Sequence, residues 1–131
     1  MTTELRMLLF AIVLGIIHIL AASVAVTKQR GAKWNMSARD AKAPEATGLA
    51  GRLDRASKNF LETFPLVAAA ILLVHVTQIS SPVTALGAQI YLGARVVYLP
   101  LYAFGIPVVR TLVWTVSMIG FVMLLAPLFG L

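Results

Sequence analysis

The chain has 131 residues, 60% of them apolar and only 12% charged, with no cysteine. That length suits one compact unit, but such a composition excludes an ordinary soluble domain, and the lack of cysteine excludes disulfides, thiolate metal sites and a cysteine nucleophile. The formal net charge of +6 is not spread as a nucleic-acid footprint would be, because most of the basic residues fall between Lys28 and Lys58.

Four apolar stretches follow one another along the chain. Met7–Thr27 has His18 as its one strongly polar residue. It reads as a retained span rather than a signal peptide, since its apolar run is too long for a signal core and Ala21-Ala22-Ser23 is a weak cleavage site. Phe60–Ile79 carries Glu62 near its start and His75 near its end, Pro82–Ile106 contains Arg95, and Thr111–Leu131 has no charge. Each has about the 20 residues a helix needs to cross a hydrocarbon core. The expectation is an all-α, four-helix membrane bundle in a single domain, with helices at about 7–27, 49–79, 82–104 and 107–130.

The stretch from Lys28 to Lys58 holds Lys28, Arg30, Lys33, Arg39, Lys42, Arg52, Arg55 and Lys58, opposed by Asp40, Glu45 and Asp54. The positive-inside rule puts it in the cytoplasm and both termini on the other side. Much of this charge serves topology and attraction to anionic lipid, with Trp34 as an interfacial anchor. Gly31, Pro44 and Gly48 mark Lys28–Gly48 as irregular.

The second helix should start near Leu49 and run to Ile79. Its length of roughly 46 Å exceeds the hydrocarbon core, so its first turns stand among the headgroups. Arg52, Arg55, Asn59 and Glu62 fall within about 80° of one another on that helix. Pro65 should bend it near Leu61. A charged stripe entering a membrane span marks a functional site. Ser80-Ser81-Pro82 turns the chain at the outer side. On the third helix Tyr91, Arg95, Tyr98 and Tyr102 are spaced by four, three and four residues and share a face. Gly105-Ile106-Pro107 turns it on the inner side, with Arg110 in the next turn. The charged groups of three helices thus converge at one depth.

Glu62 can neutralise only one of these arginines, and Asp54 points about 160° away from Arg52. Surplus arginine in a partly buried site fits a ligand with carboxylates or phosphates, and Glu62 with Asn59 could hold an ammonium. A small anionic peptide with a free amine meets these demands. An interhelical Arg95–Glu62 ion pair with packed tyrosines is the structural alternative. His18 reads as a helix-contact residue, and His75 lies roughly 140° from the Arg52 direction, outside the site. The two histidines are no metal signal.

Two patterns now in hand resemble the membrane-associated proteins of eicosanoid and glutathione metabolism, the MAPEG family. One is Arg52-x2-Arg55-x3-Asn59-x2-Glu62-x-Phe64-Pro65; the other is Arg95-x2-Tyr98-x3-Tyr102 followed by Arg110. Trp34-Asn35 and Ala38-Arg39-Asp40 are similar to its bacterial branch, which implies an inner-membrane location. The resemblance implies a homotrimer with glutathione sites between subunits, open to the cytoplasm. By it, Arg52, Arg55, Asn59, Glu62, Arg95, Tyr98 and Tyr102 bind glutathione, and Arg110 activates the thiol, with one residue more between Tyr102 and Arg110 than the family spacing. Either Lys28 or Arg30 supplies a basic contact at the end of the first helix. The implied activity is a glutathione-dependent transferase or peroxidase for lipophilic electrophiles. A non-catalytic lipid-binding member is the alternative, and a small multidrug transporter is disfavoured because the first helix has no carboxylate after Glu4.

Overall fold

The computed structural model describes residues 1–131. Its elements are α1 (Thr3–Arg30), α2 (Ala32–Asn35), α3 (Gly48–Val76), α4 (Pro82–Ala103), α5 (Pro107–Leu125) and a final 3-10 turn over Ala126–Phe129. Local chemistry sets the boundaries. The Thr2 hydroxyl accepts from the Leu5 N–H at 3.3 Å and starts α1. Ser81 and Thr84 form a reciprocal capping box ahead of α4, with Pro82 at the first helical position. Gly105 supplies the positive φ, 71°, of the turn that Pro107 closes into α5. Helix α3 runs through Pro65 and α4 through Pro100. Within the helices lie 82 of the 97 backbone hydrogen bonds, so the spans satisfy their own polar groups as lipid requires.

The segment between α1 and α3 is more ordered than its composition suggests. Helix α1 extends to Arg30, and α2 follows directly after Gly31. Gln29 then clamps the loop to the start of α3: its amide donates to the Thr47 hydroxyl at 2.9 Å and accepts from the Thr47 N–H at 2.9 Å. Arg30 Nε donates to the Pro44 carbonyl at 3.0 Å. Side chains thus replace regular structure here, which turn residues alone do not reveal.

Three helices are long and apolar enough to cross a membrane: α1, α3 and α5 continued to Phe129. Helix α4, expected as one of four spans, is not among these three. Its 22 residues give sufficient length, but Gln89, Arg95 and three tyrosines make it too polar by composition.

Helices α4 and α5 make the closest pair, and α1 lies mainly against α3. The first contact depends on two glycines. A Cβ on Gly87 would come 2.6 Å from the Gly120 carbonyl oxygen, and one on Gly120 would come 2.6 Å from the Gly87 oxygen. Backbones that close leave no flexible side chain to yield. Gly120→Ala should therefore push α4 and α5 apart and cost about 1–3 kcal/mol, read as an earlier midpoint in a detergent-unfolding titration. An unchanged midpoint would mean that the two helices reseat freely.

The core cluster comprises Val67, Ile71, Val74, Ala88, Tyr91 and Leu124. At the start of α1 the buried Glu4 carboxylate accepts from the Ser80 hydroxyl at 2.8 Å and the Thr84 hydroxyl at 2.5 Å, tying α1 to the α3–α4 turn. Both bonds fall on Oε1, and the buried Oε2 has no partner. Outward faces of α1 and α5, including Ile12, Ile16, Leu20, Leu112, Ile119 and Val122, remain apolar and exposed on the single chain. Faces this apolar call for lipid or further protein against them.

Candidate functional site

Arg52 opens the stripe on α3, and its guanidinium reaches across to the end of α4. Its Nε donates to the Ala103 carbonyl at 2.8 Å, a C-terminal acceptor that α4 cannot satisfy itself. One turn on, the Arg55 guanidinium carbon stands 6.0 Å from the centre of the Tyr102 ring. Arg110, entering from α5, stands 4.6 Å from that ring. Tyr102 therefore lies between cations from two helices. Tyr102 also meets Tyr98 edge-on at 5.6 Å between ring centres. Below them the Arg95 guanidinium carbon lies 4.5 Å from the Tyr98 ring and 5.5 Å from Phe60. Arg95 Nη2 donates to Asn59 Oδ1 at 2.9 Å. The expected convergence of α3, α4 and α5 is present in the structure.

The ion pair between Arg95 and Glu62 is not formed. Asn59 takes the place at Arg95, while Glu62 stays exposed, and the chain's one ion pair joins Lys58 to Asp54 at 2.8 Å. None of Arg52, Arg55, Arg95 or Arg110 is neutralised by a carboxylate. Arg95 is 0% exposed, yet its Nε and Nη1 have no hydrogen-bond partner. An unmet buried guanidinium is costly, and native interiors keep few such groups without a reason. Tyr91 is engaged elsewhere, its hydroxyl 2.9 Å from Thr63 Oγ1. Arg55 and Glu62 are exposed, Tyr102 and Arg110 half-buried, and Tyr98 buried. No cavity of the single chain is lined by Asn59, Arg95, Tyr98 or Tyr102. The cluster lies along a helix surface rather than inside a closed chamber.

Two neighbours escape a reading of polar spacing. Phe60 underlies Arg95, and its ring also stacks on His18 at 4.8 Å and 15°. His18 is buried, with both ring nitrogens unpartnered. It is the helix contact expected of it, but made to a ring of the site's floor. Gly15 makes room for that ring, since a Cβ there would stand 3.2 Å from Phe60. At the end of α1, Arg30 is fixed over Trp34 at 5.4 Å, whereas Lys28 is exposed. No group of three or more His, Asp or Glu side chains could hold a metal ion.

Chemically, the arrangement offers several guanidinium groups, tyrosine hydroxyls and one free carboxylate at a common level. It suits a small ligand that is anionic at more than one point and cationic at another. No curated protein matches this chain, and no solved structure does. The family model described as MAPEG matches residues 7–129, nearly the whole length, and so covers both stripes, all of α3, α4 and α5, and α1 from Met7 onward. The chain belongs to the MAPEG family.

Proposed function

We propose that this protein is a membrane-embedded, glutathione-dependent transferase or peroxidase acting on lipophilic electrophiles. One observation carries the reading: Arg55, Arg95 and Arg110 gather around Tyr98 and Tyr102 with no carboxylate partner, and Arg95 is buried with two unsatisfied nitrogens. Glutathione brings two carboxylates and an ammonium. Arg55 and Arg95 bind the carboxylates, Asn59 and Glu62 take the amine end, and the Tyr98 and Tyr102 hydroxyls complete the cradle. Arg52 contributes its remaining N–H groups while its Nε secures the end of α4. Arg110 stands over Tyr102 and stabilises the thiolate, which is the attacking species.

In this reading α4 is a fourth span. Its 22 residues reach roughly 33 Å, enough for the hydrocarbon core, and Tyr91, Arg95 and Tyr98 are turned into protein. Three copies assemble, closing the exposed stripes between neighbours and covering apolar flanks. The basic segment then lies in the cytoplasm and both termini outside, in a bacterial inner membrane. An Ala38→Cys substitution introduces the chain's sole cysteine, so labelling should occur only with reagent on the cytoplasmic side; labelling from outside would reverse the topology.

A specific feature favours the non-catalytic, lipid-binding alternative. Ile90, Gly93, Ala94, Val97, Val113 and Val116 line an apolar groove of about 320 Å³ between α4 and α5. Turnover of a chloronitroaromatic electrophile by the purified protein, with and without glutathione, separates the two. Saturable, glutathione-dependent turnover is expected; glutathione-independent background alone would leave lipid binding.

A further inference from the structure

We infer that a second site, at the inner end of α1, binds the headgroup and one acyl chain of an anionic phospholipid. A cavity of about 330 Å³ lies between α1, the α2 loop and α3. Its chemistry is graded by depth. Ile19, Ala22 and Val26 form an apolar floor, while Arg30, Trp34 and Arg39 form the upper rim. From Ile19 to Arg30 the helix rises roughly 16 Å, about the depth of one leaflet of the hydrocarbon core. An acyl chain fits the lower part and a phosphate the upper.

The rim is built rather than frayed. Trp34 Nε1 donates to the Ala41 carbonyl at 3.0 Å, which fixes the indole. Arg30 and Arg39 flank that ring, their guanidinium carbons 5.4 and 5.5 Å from its centre. Arg39 is further held by Asn35, donating from Nη2 to Oδ1 at 2.9 Å. Neither arginine has a carboxylate partner. Asp54 also lines the cavity, but Lys58 neutralises it at 2.8 Å. A paired cationic rim above an apolar shaft complements an acidic phospholipid and not a zwitterionic one. The site does not depend on the glutathione reading.

Trp34 reports on its own site. Trp114, the other indole, has a buried unpartnered Nε1, so Trp114→Phe leaves Trp34 as the sole tryptophan, excited selectively over tyrosine at its red edge, with no indole hydrogen bond lost. In that variant, reconstituted in phosphatidylcholine vesicles, acyl-brominated phosphatidylglycerol should quench Trp34 at far lower mole fraction than acyl-brominated phosphatidylcholine. Each arginine near the surface contributes about fivefold, so roughly 25-fold is expected for the two. Adding Arg30→Gln and Arg39→Gln should erase the preference. Ser23→Phe, which fills the shaft from an exposed lining position, should weaken quenching by both lipids and leave the preference. Equal quenching of the Trp114→Phe variant by the two lipids overturns the proposal without recourse to the other variants. So does displacement of the quencher by soluble glycerol phosphate, which would make the rim a phosphate site alone, or by glutathione, which would make it part of the thiol site.

Discussion

Arg110→Ala should still bind glutathione but lose about 30-fold in turnover at pH 7. A free thiol titrates near pH 8.5, so only a few per cent is thiolate at neutrality, and full ionisation by a neighbouring guanidinium accounts for a factor of that size. Each unit by which the thiol is lowered corresponds to about 1.4 kcal/mol of preferential stabilisation of the thiolate. The sign follows directly. In the parent the thiolate is already formed at neutral pH, and activity is lost only as pH falls through the lowered value. In the variant activity should rise with pH toward 8.5 and approach the parent's there. Arg110 is placed for this role by its position 4.6 Å from the Tyr102 ring centre, with no carboxylate to neutralise it. Stopped-flow absorbance of the glutathione thiolate, followed with turnover across pH, checks both parts. A variant with the parent's turnover and pH profile would make Arg110 a snorkelling anchor of α5.

The second large effect is a trade between stability and binding at Arg95. Had Arg95 been paired with Glu62, its removal would strand a buried carboxylate and destabilise the fold. The structure reverses that expectation, because the partner is the neutral Asn59 and two of the guanidinium's nitrogens are unmet. Arg95→Met keeps most of the volume packed on Phe60 and Tyr98 while deleting the stranded cation. We therefore expect the ligand-free variant to be more stable than the parent by about 1–3 kcal/mol in detergent unfolding. Its glutathione affinity should fall by roughly 10- to 150-fold, the loss of one charge-assisted contact of about 1.5–3 kcal/mol. A destabilised variant with undiminished affinity would mean that Arg95 serves packing alone.

Much of this arrangement was legible in the chain itself. The helical period places Arg52, Arg55, Asn59 and Glu62 on one face, and the turns at Ser81-Pro82 and Gly105-Pro107 bring α3, α4 and α5 to a common depth. Periodicity does not reveal how each helix is rotated against its neighbours. That rotation gives Arg95 to Asn59 rather than Glu62, turns Arg52 onto the Ala103 carbonyl, and slides Phe60 between His18 and Arg95. The polar composition of α4 was legible too, but its consequence for spanning depends on which residues face protein. The cavity beside Trp34 lay beyond reach for a further reason. It is closed by Trp34 and Asn35 of α2 and by Arg39, in a segment whose glycines and proline signal only a loop.

Titration calorimetry of glutathione into the detergent-solubilised parent and its Arg55→Ala variant tests the central claim most directly. Arg55 is exposed and makes no hydrogen bond that the fold requires, so its loss leaves the helices intact. The account predicts saturable binding to the parent and an affinity roughly 10- to 150-fold weaker in the variant. Absence of saturable heat in the parent, or equal affinity in the two proteins, would contradict it.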